Sequence, residues 1–164
     1  MNVRPAATGD HVPIAHVLRS AFPTAAEAQL VEALRAGGDV VVERVATVGG
    51  RVVGHVLASR LRPPAGPRGV GLAPLAVDPA WQRRGIGAAL VDELLGAVLA
   101  LGASFVVVLG DPVYYGRFGF VSADRLGCDS DFGGGPEFQV LVLDPTAPPF
   151  GRVCYAEPFD RFLV

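Results

Sequence analysis

Apolar positions along this chain alternate between helical spacing and strand-like runs. After a short opening strand at Asn2–Arg4, Ile14, Val17, Leu18 and Phe22 share one face of a helix that Thr8 or Asp10 can cap. Thr24-Ala25-Ala26-Glu27 has the form of a capping box, in which a hydroxyl and a carboxylate satisfy free helix-end amides. It predicts a second helix to about Arg35, ended by Gly37-Gly38. β-Branched runs over Asp39–Val48 and Arg51–Leu61, joined by Gly49-Gly50, predict a hairpin. Pro63–Gly69 reads as a loop from its Pro and Gly content.

The second half changes pattern. Val70–Val77 predicts a buried strand stopped by Asp78-Pro79. Ile86, Leu90, Leu94, Val98 and Leu101 then recur at helical spacing, so a helix is expected over Arg84–Leu101. Phe105–Leu109 is wholly apolar, as in a strand covered on both faces. Strand, helix and strand in this order make a βαβ unit with parallel strands. A turn-rich segment at Asp111–Arg117 follows, with strands expected at Phe120–Ser122, Phe138–Leu143 and Val153–Tyr155. A hairpin followed by βαβ makes a mixed central sheet with helices on both faces. The fold class is α/β, or α+β by some counts, and 164 residues suffice for a single domain, 1–164.

Composition narrows the function. With 51% hydrophobic and 18% charged residues the chain can fill a core, and disorder is excluded. The longest apolar stretch, Ala88–Gly110, carries Asp92 and Glu93 and so predicts a buried helix and strand rather than a membrane span. The first residues have no apolar h-region, so a secretory signal is not expected and a cytoplasmic location is. The positive charge is all arginine, with no lysine, and the net charge is −2. That excludes lysine Schiff-base and P-loop chemistry, and nucleic-acid binding by bulk positive charge. Cys128 and Cys154 are too few for a disulfide framework or a zinc site, so no metal is expected. A homodimer is compatible with this composition.

The junction Leu75–Leu90 holds the clearest chemistry. Gly85 and Gly87 sit where the helix starts, and the first amides of a helix lack intrahelical acceptors. With the helix dipole they form an anion site that glycines leave open to phosphates, or else the glycines serve a tight turn. Arg83 and Arg84 can add charge-assisted hydrogen bonds to a diphosphate. A Rossmann fingerprint wants Gly or Ala where Leu90 stands, and no GK[ST] is present, so a dinucleotide or nucleoside triphosphate is disfavoured.

Val77-Asp78-Pro79 followed by QRRGIGAALV resembles the coenzyme A signature of the GNAT N-acetyltransferase superfamily, matched by Gln82, Gly85 and Gly87. Tyr115, Gly119 and Phe120 match its Tyr-x-x-x-Gly-Phe element. Gly71–Val77 and Val108–Phe120 resemble the YhbS-type acetyltransferases in particular. The resemblance implies a splayed pair of parallel strands holding coenzyme A, with Leu75, Ala76 and Val77 nearest the thioester. It implies pyrophosphate binding by the amides of Arg83, Arg84, Gly85, Ile86, Gly87 and Ala88, with Gln82 also at the coenzyme A site. It further implies acetyl transfer from acetyl-CoA to an amine by direct attack, with Tyr115 protonating the departing thiolate. The position seven residues before Tyr115 is Val108 where many members have Asn, and Gly110-Asp111-Pro112 leave room only for a short helix. Tyr114 is therefore a second candidate acid.

For a general base, His55 is a candidate, although a lone histidine on an apolar strand also suits a hydrogen-bonded packing role. Glu27 fits the capping box or an amine, and Asp111 fits a turn before Pro112 or a ligand at a strand end. The tail 128–164 is expected to complete the acceptor side, with Gly133-Gly134-Gly135 as a mobile loop. The acceptor is a small-molecule or peptide amine. A non-catalytic acyl-CoA-binding regulatory module is the alternative reading.

Overall fold

The hairpin joined by Gly49-Gly50 forms the middle of a mixed sheet. Its strands are β2 (Val40–Val48) and β3 (Arg51–Arg62), with β1 (Asn2–Pro5) antiparallel on the outer side of β2. The computed structural model describes residues 1–62 and 68–162, so the loop expected at Pro63–Gly69 lies mostly outside the described residues. β4 (Gly69–Val77) pairs antiparallel with β3, and β5 (Phe105–Leu109) runs parallel to β4. β6 (Val121–Ser122), β7 (Cys128–Ser130), β8 (Phe138–Val142) and β9 (Gly151–Tyr155) complete the strands among the described residues. The main path runs β1-β2-β3-β4-β5-β8-β6, while β9 joins the far end of β3 and pairs with β7.

Helices cover both faces. On one lie α1 (His11–Ala21), α2 (Ala26–Ala36) and the late α5 (Pro158–Phe162); on the other lie α3 (Ile86–Ala100) and the short α4 (Pro112–Gly116). Strand alternation divides the core accordingly: Phe105 and Val107 pack toward α1 and α2, Val106 and Val108 toward α3. Burying Ile14, Val17 and Leu18 of α1 contributes about 1.5–3 kcal/mol each.

Local chemistry departs from expectation at three places. At the start of α2, Thr24 Oγ1 accepts from the Ala26 amide at 3.2 Å, and no side chain caps the helix. Glu27 therefore closes no capping box, because α2 starts beside it rather than before it. At the start of the chain, Asp10 holds the N-cap position of α1, but its side chain turns back from the helix: it accepts from the Ala7 amide at 2.7 Å and from both terminal nitrogens of Arg4 at 2.7 and 3.0 Å. Finally, β7 and α5 have no counterpart in the sequence pattern, since each is too short to show a period.

Two deviations in β4 open the sheet. Its parallel pairing with β5 covers only Gly69–Gly71 against Phe105–Val107, and from Leu72 onward the strands part. On its other edge the register with β3 slips between Leu72↔Ala58 and Leu75↔Val56, so that Ala73 and Pro74 face Leu57 alone. This is a β-bulge, which bends the strand and re-aims its side chains.

Candidate active site

The fork between β4 and β5 opens onto a cleft of about 590 Å³ on the α3 face. It is lined by Leu75 and Val77 of β4, the turn Trp81–Arg83, the helix start Gly85–Ala88, and Tyr114 and Arg117 of the α4 region. Gly85 takes φ +80°, a left-handed conformation that costs a glycine little, and so turns the chain into α3. The first intrahelical bond runs from the Ala89 amide to the Gly85 carbonyl at 3.1 Å. The amides of Ile86, Gly87 and Ala88 thus stand at the helix start with no acceptor within the helix, and the dipole favours an anion there. Arg83 lines the same cleft from a left-handed backbone position, φ 61°.

Its neighbours do different work. The Gln82 side chain donates to the Val77 carbonyl at 3.0 Å and ties the turn to the end of β4. The Arg84 guanidinium stacks 4.9 Å over the Trp81 ring and donates to the Ala80 carbonyl at 3.4 Å, outside the cleft lining. Ala76, between Leu75 and Val77, points to the other face and packs in the α1/α2 core. Trp81 and Arg117 join the cleft without having been marked by the coenzyme A signature. Arg117 lies 4.2 Å over the Tyr114 ring, and an aromatic followed three residues later by arginine is the signal that identifies such a pair.

The two tyrosines of α4 separate. A Cβ built at Gly87 would stand 2.7 Å from the Tyr114 hydroxyl, so that hydroxyl lies at the anion-ready end of the cleft. Tyr115 points inward, 9% exposed, with its ring against Gly110 and edge-on to Phe120 at 5.7 Å. Burial, followed by the neighbouring Tyr114, pushes its phenol up to about 12, so it remains protonated. Asp111 caps α4 through the Val113 amide at 2.9 Å.

His55 lies on the α1/α2 face of β3, fully buried, with Nε2 2.7 Å from Glu43 Oε2. Arg35 holds the same carboxylate through two bonds of 3.2 and 2.6 Å. Burial lowers the His55 pKa more than contact with Glu43 raises it, so the imidazole is neutral and Nε2–H donates. Burial opposes ionisation of Glu43, yet His55 and Arg35 overcome it and hold the carboxyl well below the usual range. His55 is thus engaged in a buried ion-pair network, with Nδ1 enclosed and without a partner among the described residues. Glu27 Oε2 is likewise enclosed and unpartnered there. No group of side chains suited to a metal ion occurs among the described residues. No helix there is long and apolar enough to cross a membrane.

On the opposite side of the fork, a smaller cavity of about 200 Å³ is lined by Ala73, Leu109, Phe132, Tyr155 and Phe159. Ala73 comes from the bulge of β4 and Leu109 from the end of β5, so the cavity reaches both margins of the fork.

Known proteins share this construction. The chain is 39% identical over 155 residues to the uncharacterized N-acetyltransferase YhbS of Escherichia coli (strain K12), spanning 89% of this chain and 90% of that one. A crystal structure of Escherichia coli YhbS in complex with CoA superposes with a TM-score of 0.93 at 37% identity, covering 98% of this chain and 92% of that chain. A GNAT family acetyltransferase from Brucella melitensis in complex with acetyl-CoA gives 0.83 at 33% identity, covering 97% of each. Residues 14–120, from α1 through the cleft to the Tyr115–Phe120 element, match the acetyltransferase (GNAT) family model. The chain belongs to the GNAT acetyltransferase family.

Proposed function

We propose that this protein moves the acetyl group of acetyl-CoA to a primary amine by direct attack on the thioester. One observation carries the reading: a helix start with unshared amides opens onto a strand edge that parts from its parallel neighbour. That combination suits a ligand with a diphosphate at one end and an amide-bearing arm at the other. The two similar structures in complex with CoA and acetyl-CoA support it.

The amides of Ile86, Gly87 and Ala88, with Arg83, would hold the diphosphate, and Gln82 would hold the turn that presents them. The edge of β4 at Leu75–Val77, unpaired toward β5, would receive the arm. Bound there, acetyl-CoA supplies an activated thioester.

Tyr114 and Tyr115 then divide the remaining work. The Tyr114 hydroxyl sits beside Gly87, at the phosphate end, where it suits binding rather than chemistry. Tyr115 lies further inward and is the general acid. Its proton goes to the departing sulfur as the C–N bond forms and the C–S bond breaks. The amine releases a proton to water in the same step, and water returns one to the phenol. Burial keeps the phenol protonated up to the moment the C–S bond breaks and negative charge develops on the sulfur. A backbone amide at Leu75 or Ala76 would stabilise the oxyanion. The cysteines take no part.

The test is release of free thiol from acetyl-CoA with a panel of amines, alongside CoA binding by calorimetry. Amine-dependent release that falls in Tyr115→Phe while CoA still binds is the expected result. CoA binding with no thiol release from any amine would mean a binding module.

A further inference from the structure

The cavity on the far side of the fork carries information about the acceptor. We propose that the acceptor is a primary amine on an uncharged, apolar body about the size of one large side chain, seated among Ala73, Leu109, Phe132, Tyr155 and Phe159. The proposal rests on the acetyl-transfer reading above and assigns that reaction a substrate class.

Position comes first. Leu75 and Val77 face the cleft on the α3 side, whereas Ala73 packs toward the α1/α2 core. The two cavities therefore approach the same fork from opposite faces, and Tyr115 is buried on the α3 side with its ring against Gly110, just past the end of β5. An amine in the smaller cavity would face the thioester across the unpaired edges of β4 and β5.

Chemistry comes second. Tyr155 is the one ionisable residue in the lining, and three rings form much of the wall: Phe132 and Phe159 lie 5.8 and 4.9 Å from the Tyr155 ring centre. Nearby charges are already committed, since Arg62 spans Asp131 at 3.0 Å and Asp160 at 3.1 Å. Such a lining penalises a charged substituent and favours the neutral amine over the ammonium.

The third observation is a hydroxyl without a partner. Tyr155 is 2% exposed and lines the cavity, yet Oη makes no hydrogen bond among the described residues. A buried polar group left unpaired is destabilising, and a partner that satisfies it removes that cost. Gly71 lets the ring lie this close to β4, since a Cβ there would stand 2.7 Å from it. The Tyr155 hydroxyl is thus an unpaired donor enclosed behind the cavity wall, and an acceptor molecule gains a hydrogen bond from it once the ring shifts toward the cavity. At about 30 Å³ per water-sized group, the 200 Å³ cavity admits about six or seven heavy atoms.

The test compares 2-phenylethylamine and 3-methylbutylamine with putrescine, glucosamine and β-alanine by thiol release from acetyl-CoA. The apolar amines should show kcat/KM at least about tenfold higher. In Phe132→Glu, 2-phenylethylamine should lose about tenfold or more and putrescine should gain, with CoA affinity by calorimetry unchanged. Phe132 is 38% exposed, so the replacement leaves the core intact, and an unchanged melting temperature checks this. In Tyr155→Phe, kcat/KM for the apolar amines should fall several-fold. Preference for a charged or polyhydroxylated amine, or apolar-amine turnover indifferent to both variants, overturns the assignment and leaves acetyl transfer standing. Thiol release from none of the five amines despite CoA binding overturns the substrate class, and acetyl transfer itself fails only if the broader amine panel is silent as well.

Discussion

The Tyr114 hydroxyl rests over the Cα of Gly87, where any side chain would meet it at 2.7 Å. The second glycine of the signature therefore lets an α4 residue reach the start of α3. In Gly87→Val the branched side chain displaces that hydroxyl and crowds the amides. KM for acetyl-CoA should rise about tenfold, equivalent to about 1.4 kcal/mol. Steady-state kinetics at saturating amine would read it.

The division between Tyr114 and Tyr115 predicts opposite kinetic signatures. Tyr115→Phe should lower kcat by about 10²-fold or more, as for loss of general acid catalysis, with KM for acetyl-CoA nearly unchanged. Tyr114→Phe should raise KM a few-fold and spare kcat. An exchange of the two patterns would transfer the acid role to Tyr114.

Arg83 and Arg84 are adjacent in sequence, but only Arg83 lines the cleft. Arg83→Ala should weaken CoA binding, with a larger deficit at low salt than at high salt because an exposed charge contact is screened. Arg84→Ala should change affinity little, since its guanidinium is stacked on Trp81. Calorimetry at two ionic strengths distinguishes them.

The Arg35–Glu43–His55 network lies under α2, away from the cleft. Glu43→Ala leaves the half-buried Arg35 guanidinium and the fully buried His55 Nε2–H without their acceptor, which costs about 3 kcal/mol. At about 2–4 °C per kcal/mol, the melting temperature should fall by about 10 °C. Glu43→Gln, which still accepts from His55, should lose less.

Acid sensitivity should come from Asp10 and Glu43 together. Hydrogen bonding from Arg4, only partly opposed by burial, lowers its pKa from 3.8 to about 2 in the folded chain. A depressed carboxyl contributes its full stability above about pH 4 and loses it as pH falls toward 2. Glu43, lowered in the same direction, adds to that slope. Urea midpoints measured from pH 5 to pH 2 should decline across this window, and Asp10→Asn should flatten the decline.

The βαβ unit and its glycine turn were legible because both are local: the apolar spacing of Ile86–Val98 and the Gly85–Gly87 pair lie within one short segment. The fork was legible only through resemblance, since it depends on where the pairing of Gly71 with Val107 stops, and no residue type announces that. Thr24 and Glu27 misled because the capping pattern specifies spacing, whereas the helix start was set by how α2 packs. The aromatic cavity was invisible for another reason. Phe132, Tyr155 and Phe159 come from separate elements of the tail, and only the return of β9 to β3 brings them beside Ala73 and Leu109.

The early parting of β4 and β5 also bears on solubility. Unpaired strand margins usually recruit other chains when they lie at the outside of a sheet. Here two such margins face each other in the interior, closed at one end by the Gly71–Val107 pairing and flanked by helices on both faces. A foreign strand would have to thread the slot lengthwise, whereas a slender amide-bearing arm can enter from the side. The protein thus keeps backbone hydrogen-bonding capacity in reserve for a ligand without advertising it to its neighbours.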